Sequence, residues 1–395
     1  MKVTLTNFMK RKGNLWQQFI SKDNIALAVK KACKNTGKMT KAKRRAILRV
    51  KQNTENVITR VQLMLEEGTF KTSPYNIYPL FDPKLRLIYS LPLYPDRIIH
   101  HCLLNILEEF WDNLMIFDSY ACRSKHNTHC KGQHKAGTRA GQFAMKYKYC
   151  AQLDISQFYV NINHNIMKQI LRHKLKDEKI LKVLDDIVDS ISTRDKNLQL
   201  LEQMKKTHPN CKDVQVEIQK LTNSRAFDLK EPAGLPIGSY TSQWFGNLYM
   251  NELDMFVKHK LHCKAYVRYC DDFLIFSDDK KILHKVTKEI EIFLKEHLHL
   301  LLSKCRVFPT AQGIDFVGYR YFHNGKVLLR KRTAKRIRRR LKALPQKLIE
   351  NRIKPEKARS VLASDKGILK WAKSYNFRKA IDIEKIQKIV EEHVA

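Results

Sequence analysis

The run Ala-Tyr-Val-Arg-Tyr-Cys-Asp-Asp-Phe-Leu-Ile-Phe, residues 265–276, constrains this chain more than any other segment. Two short runs rich in aromatic and β-branched residues flank Cys270, Asp271 and Asp272, with room between them for a tight turn only. They read as an antiparallel hairpin carrying two acids at its tip. Neighbouring carboxylates repel each other unless a cation lies between them, and no turn requires two. A divalent metal site does, because Mg²⁺ takes oxygen ligands from one or two carboxylates and completes its shell with water and substrate phosphate. The bland alternative is a solvated Asp-Asp turn, a pattern repeated a few residues later at Ser277-Asp278-Asp279.

A second acid shifts that balance. In YCAQLDISQFYVNI a strand-like run ends at Asp154, and the large aromatics Phe158 and Tyr159 follow. Two such strands lying side by side bring Asp154, Asp271 and Asp272 around two metal ions, the arrangement that two-metal phosphoryl transfer requires. Between them AGLPIGSYTSQWFGNLYMNELD turns through Gly234, Pro236 and Gly238 into an amphipathic helix opening with Ser239, Thr241 and Ser242. Gly238 lets backbone come close to a flat ligand. Taken alone, the segment is an ordinary helix N-terminus.

The remaining pattern is mixed. Residues 23–69 return apolar side chains every three or four positions and read as helical, with Gly68 as a stop. Residues 71–99 hold short alternating runs, punctuated by Asp82-Pro83 and Pro95, that read as a small antiparallel ribbon, and a helix follows from about Arg97 to Trp111. Residues 190–230 are polar helical material between two strong motifs, expected as a surface insertion. From Gly325 on, helix formers dominate, with nine Lys or Arg between Arg330 and Lys342. The sum is an α+β layer with an antiparallel sheet. A 43% apolar share over 395 residues builds real cores, and 75 Lys and Arg against 39 Asp and Glu leave +36, which calls for a long polyanion, nucleic acid first. The first residues lack a signal-peptide core and no run of eighteen apolar residues occurs, so neither secretion nor membrane insertion is expected. Nine scattered cysteines fit a reducing cytoplasm.

In order and spacing, the three segments resemble motifs A, B and C of reverse transcriptases: Asp154 at the motif A acid, LPIGSYTSQ at the motif B turn, Tyr269-Cys270-Asp271-Asp272 as the Tyr-X-Asp-Asp box. The resemblance extends over most of the chain. KLRLIYSLPLYPDRIIHHCLL is similar to the fingers segments of retroelement enzymes, with DSYACRS and QHKA at the adjoining loop and helix. Lys304 in LLLSKCRVF falls at the motif D lysine, and GIDFVGYRYF resembles the motif E primer grip. Motif B discriminates within the superfamily: in place of Gln-Gly-X-X-X-Ser-Pro the chain has Ile237-Gly238-Ser239-Tyr240-Thr241-Ser242-Gln243, similar to enzymes of diversity-generating retroelements. The tail ASDKGILKWAKSYNFRKAI is similar to the thumb end of that group, and no maturase or endonuclease domain is expected. The loop SKHNTHCKGQHKA and the 190–230 insertion depart from the pattern.

The resemblance implies a right-hand polymerase fold with fingers, palm (antiparallel sheet backed by helices) and helical thumb. Residues 1–70 would be an N-terminal helical extension and fingers, 71–150 fingers, 151–324 palm with the insertion near 190–230, and 325–395 a basic helical thumb. It implies an RNA-directed DNA polymerase using two Mg²⁺ ions, with Mn²⁺ able to replace them. Asp154, Asp271 and Asp272 would be metal ligands, joined by the backbone carbonyl of Ile155. Tyr159 would be a steric gate against a 2′-hydroxyl. Lys84, Arg86 and Arg97 would clasp the incoming dNTP triphosphate, with Ile237, Gly238 and Gln243 beside it. Lys304 would protonate the leaving pyrophosphate. Arg330, Lys331, Arg332, Lys335, Arg336 and Arg339 would hold the template-primer backbone. The implied partners are template RNA, primer and cDNA, dNTPs and a small basic oligomeric accessory variability protein, in the cytoplasm of a bacterial or phage-encoded system.

Cys122, His126, His129, Cys130 and His134 fall within thirteen residues but lack a paired zinc-knuckle spacing, so zinc is set aside. Trp371 is expected in the core of the C-terminal helices. The rival functions are a reverse transcriptase of another retroelement type and an inactive RNA-binding scaffold.

Overall fold

The computed structural model describes residues 11–34, 40–81, 84–123, 131–223 and 231–393. Asp82-Pro83, His126, His129 and Cys130 lie outside them. The helical N-terminal stretch resolves into four helices, Trp16–Ile20, Lys22–Ala32, Lys41–Gln52 and Thr54–Glu66. Ser21 and Thr40 cap the second and third by accepting a backbone N–H. Gly68, at φ 64°, closes the fourth. The ribbon is narrower than expected, β1 (Asn76–Leu80) paired with β2 (Arg86–Ser90). Residues 93–97 instead wind into the helix Ile98–Leu114 through a cis Tyr94-Pro95 bond.

The central sheet is antiparallel, in the order β4 (Tyr266–Tyr269), β5 (Asp272–Ser277), β3 (Tyr149–Ile155), β6 (Leu302–Pro309). Its inner strands β5 and β3 read as nearly continuous apolar runs because both their faces are covered, whereas β6 is an edge strand with much of its length exposed. On β3, Ala151, Leu153 and Ile155 point into the larger core, with Trp111, Trp244, Phe245 and Tyr249 from the helices Ile98–Leu114 and Tyr240–Met255. Cys150, one residue out of phase, joins Leu274 and Phe276 in a second core against Ala136, Ala140 and Phe143 of the helix Gln133–Lys146. That alternation puts Gln152 and Asp154 on the second face. The segment GIDFVGYRYF and the residues after it form a three-stranded sheet, β7 (Ile314–Phe316), β8 (Tyr319–Tyr321) and β9 (Val327–Leu329), closing the same core.

The 190–230 material forms the helices Thr193–Thr207 and Lys212–Asn223. Only its outer face is solvated. Leu201, Val214 and Leu221 are buried against Leu85, Leu87 and Tyr89 of the ribbon, and the Tyr89 hydroxyl donates to Asn197 at 2.5 Å. The chain after β9 is helical, Lys331–Lys342 through Ile383–Glu392, around a separate core that includes Ile337, Leu341, Leu362 and Val390. Trp371 corrects an expectation. It lies at the C-terminal end of the helix Pro355–Lys370, 49% exposed, its ring stacked on His134 at 4.2 Å instead of entering that core. Helix Lys331–Lys342 is anchored by Ile337 and Leu341 and by Arg340, whose Nε donates to the buried Asp365 at 2.9 Å. Among the described residues no helix is long and apolar enough to cross a membrane.

Beneath the hairpin tip lies a fully buried ion pair. Arg268 on β4 is fully buried. Its Nε and Nη2 donate to Asp254 at 2.8 and 2.6 Å, and its Nη1 donates to the Cys270 carbonyl at 3.0 Å and to Asn247 Oδ1 at 3.3 Å. Tyr266 donates its hydroxyl to the same Asp254 at 2.7 Å. Arg268→Met leaves Asp254 in the core without its counter-ion, with the Tyr266 hydroxyl as its remaining donor. It is expected to cost about 3–5 kcal/mol of unfolding free energy in denaturant titration, and the double change Arg268→Met with Asp254→Leu less than Arg268→Met alone. Equal losses in the two proteins would show that the pair carries no such charge penalty.

Candidate active site

Strand pairing brings the acids together. Asp154, near the end of β3, is in direct register with Asp272 at the start of β5, and on its other side with Lys304 of β6. Asp271 occupies the turn before β5, after Cys270, whose backbone is left-handed at φ 56°. Burial raises the Asp271 carboxyl to about 6 and the Asp272 carboxyl to about 7, with the negative charge of Asp154 the next cause for each. Asp272 Oδ1 is buried and has no hydrogen-bond partner among the described residues. Three cations lie close enough to act on these acids: Arg268 of β4, then Arg86 of β2, offset Asp271, and Lys304 offsets Asp272. Burial in turn lowers Lys304, against the pull of Asp272. Three carboxylates in mutual repulsion, one with an orphaned oxygen, offer hard oxygen donors, a chemistry that suits Mg²⁺ or Mn²⁺ and not a thiolate-seeking metal. Among the described residues, however, no three acidic, histidine or cysteine side chains converge closely enough to hold an ion as they stand.

The other expected residues fall at different distances from this centre. Tyr159 sits in the short helix Phe158–Asn161 just past β3. Burial raises its hydroxyl, and charges at Cys270, Cys122 and Asp271 add to the rise. Room for that ring comes from Gly246 on the helix Tyr240–Met255, where a Cβ would meet the Tyr159 hydroxyl at 3.2 Å and the Phe158 ring at 3.2 Å. Ile237 and Gly238 are tied to the ribbon: the Tyr89 N–H donates to the Ile237 carbonyl at 2.8 Å, and a Cβ at Gly238 (φ 120°) would fall 2.6 Å from the Tyr89 carbonyl. Gln243 is exposed on the helix that follows, and Lys84 is exposed at the mouth of the ribbon. Ile155 is buried where the β3–β6 pairing shifts register. Arg97 is exposed before the helix Ile98–Leu114, with its charge bearing on Cys33; among the described contacts it reaches none of the three acids.

Arg330, Arg332, Lys335, Arg336, Arg338 and Arg339 line a groove of about 750 Å³ whose opposite wall includes Phe81, just past β1. Lys331 is exposed at the start of the same helix. Of the cysteine and histidine cluster, the described members have other partners. The Cys122 thiol hydrogen-bonds with that of Cys270, which lowers Cys122 and raises Cys270, and His134 stacks on Trp371.

Sequence reasoning missed three residues. Arg268 is a charge inside an otherwise apolar strand, and that misfit was its signal. His100 is buried, and its Nδ1 lies 3.2 and 3.1 Å from the hydroxyls of Ser239 and Thr241, which fixes the start of the helix Tyr240–Met255. Burial, then His101, pushes it down to about 3, so it stays neutral there. Ser303 hydrogen-bonds with Asp154, and no pattern in the chain announced it.

Residues 79–321, more than half of the chain, match the family described as Reverse transcriptase (RNA-dependent DNA polymerase). The chain is also similar to the Nuclear intron maturase 1, mitochondrial, of Arabidopsis thaliana, at 23% identity over 214 residues. That match covers 47% of this chain and 28% of the relative, so the chain spans well under half of the maturase's length.

The raised carboxyls make a stability prediction for protein held in chelator. A folded-state pKa above the unfolded one favours folding below about 4, and that benefit is lost as pH rises to about 7. Asp272→Asn removes the penalty of ionising the site. Its melting temperature is expected to exceed that of the parent at pH 8, with the gap closing toward pH 4; an equal or lower value at pH 8 would refute the electrostatic account.

Proposed function

Because the chain belongs to the reverse transcriptase (RNA-dependent DNA polymerase) family, we propose that it copies RNA into DNA as the enzyme of a diversity-generating retroelement. In this reading the β1–β2 ribbon belongs to the fingers, the central sheet to the palm and the C-terminal helices to the thumb. The observation that carries the polymerase reading is the register of Asp154 against Asp272, beside Asp271, inside the segment that matches the family. Asp154, Asp271, Asp272 and the Ile155 carbonyl would hold two Mg²⁺ ions, which supply a lowered pKa for the attacking hydroxyl and charge to offset the leaving pyrophosphate.

The protein's own residues do the rest. Lys84 and Arg86 hold the triphosphate, Arg86 being near enough for its charge to act on Asp271. Tyr159 blocks a 2′-hydroxyl with its ring. Lys304, lowered by burial against the pull of Asp272, gives its proton to pyrophosphate. Ile237, Gly238 and Gln243 border the nucleotide and its template base. The basic face from Arg330 to Arg339 binds the template-primer backbone across the groove from Phe81. Template RNA, primer and dNTPs are thus the substrates, with a small basic oligomeric accessory variability protein as partner.

Supporting the retroelement subtype is the motif B text Ile237-Gly238-Ser239-Tyr240-Thr241-Ser242-Gln243. An aliphatic side chain at 237 cannot donate or accept a hydrogen bond near the base pair, which provides a physical route to errors opposite template adenine. Similarity to an intron maturase favours a second reading, a group II intron-type enzyme. Primer extension on an RNA template with dNTPs, followed by sequencing of the cDNA, separates the two, since adenine-directed errors belong to the first alone.

Two variants extend that experiment. Asp271→Ala is expected to lower the polymerisation rate by roughly 10³-fold or more; retention of most activity would end the metal assignment. Ile237→Gln should reduce misincorporation at template adenines, and an unchanged error spectrum would detach that residue from fidelity.

A further inference from the structure

We infer that Ser303 is a positioning residue that aims the Asp154 carboxylate, working through a β-bulge in the central sheet. The inference rests on the reading of Asp154 as a metal ligand. Along β6 the pairing with β3 is regular from Pro309 to Lys304, each residue facing one partner, with Lys304 opposite Asp154. The next pair is Ile155 with Leu302, so one step on β3 spans two on β6, and Ser303 is the extra residue. Pairing resumes beyond it, where the Ser156 N–H donates to the Leu301 carbonyl at 2.8 Å. A bulged residue leaves the strict alternation of the strand and its side chain is re-aimed. Here the re-aimed group is a hydroxyl whose Oγ lies 2.6 Å from Asp154 Oδ2 and 3.2 Å from the Asp154 carbonyl oxygen.

The chemistry of the pair fixes its direction. An ionised carboxylate only accepts, so Ser303 donates, and the shorter contact is a charge-assisted bond. It is the only side-chain hydrogen bond to this carboxylate among the described residues. Asp271 and Asp272 push against Asp154, and Lys304 opposite attracts it as a point charge with no directional bond. The serine therefore selects one rotamer for a side chain that repulsion would otherwise turn away. It does so without consuming the ligand: Oδ1 has no hydrogen-bond partner among the described residues, and Oδ2 keeps a second lone pair for a cation. Outer-shell partners of this kind set metal affinity by orienting the ligand in advance.

The test measures metal binding apart from turnover. The full chain, without nucleic acid, is titrated with Mn²⁺ while the EPR signal of unbound Mn²⁺ is followed, for the parent, Ser303→Ala, Ser303→Thr and Asp154→Ala. Ser303→Ala is expected to bind about tenfold more weakly with an unchanged melting temperature in chelator. Ser303→Thr, which keeps the hydroxyl at an exposed position, should stay within about twofold of the parent. Binding by Ser303→Ala equal to the parent, or a loss in Ser303→Thr as large as in Ser303→Ala, overturns the role of the hydroxyl. Parent-like binding by Asp154→Ala overturns instead the metal reading beneath it, so the two failures are distinguishable.

Discussion

The pairing of β3 with β5 in a register that sets Asp154 opposite Asp272 is the constraint on which the rest of the structure depends. A slip of one residue would move Asp154 to the face occupied by Leu153 and Ile155, inside the larger core, and take Leu153 out of it. Because both faces of the sheet are packed, such a slip would exchange the side chains of two cores at once. The same burial that protects the register raises the carboxyls of Asp271 and Asp272. The site is thus an unfavourable concentration of negative charge, held together by apolar packing, within a chain of net charge +36.

Two turns must be rigid for those acids to be useful, and each is held from below by buried polar groups. Arg268 grips the Cys270 carbonyl and is itself gripped by Asp254, so the left-handed residue before Asp271 is supported by a fork that cannot rotate. On the neighbouring wall, neutral His100 fixes Ser239 and Thr241 while Tyr89 holds the Ile237 carbonyl. Gln157, left-handed at φ 47°, turns the chain from β3 into the helix bearing Tyr159. Left-handed backbone at non-glycine residues costs roughly 1–3 kcal/mol each, and here it lies on either side of the acids, where the packing overdetermines it.

Much of this was legible in the sequence, for specific reasons. The hairpin around Asp271 and Asp272 was readable because its flanks are short, apolar and β-branched, and because acids are out of place there. The strand ending at Asp154 and the helix after Gly238 announced themselves by periodicity. The partial burial of the 190–230 insertion was not legible: Leu201, Val214 and Leu221 are too sparse to outweigh the polar residues around them, and the ribbon they cover is distant in sequence. Trp371 was misread because an aromatic near a helix end looks like core until the helix is seen to end against His134.

By itself, then, the sequence determined the chemical inventory: three acids at strand ends, an aromatic beside one of them, glycines at a close approach, and a basic helix. These follow from residue type and local period, which short-range sterics and solvation enforce. Only the tertiary structure decided what stands next to what. Ser303 reaches Asp154 because one residue too many occurs on a strand 149 positions away, and Arg268 finds Asp254 because a helix passes beneath a hairpin. Such contacts depend on register and packing, which are properties of the whole chain once folded and leave no periodic trace in any part of it.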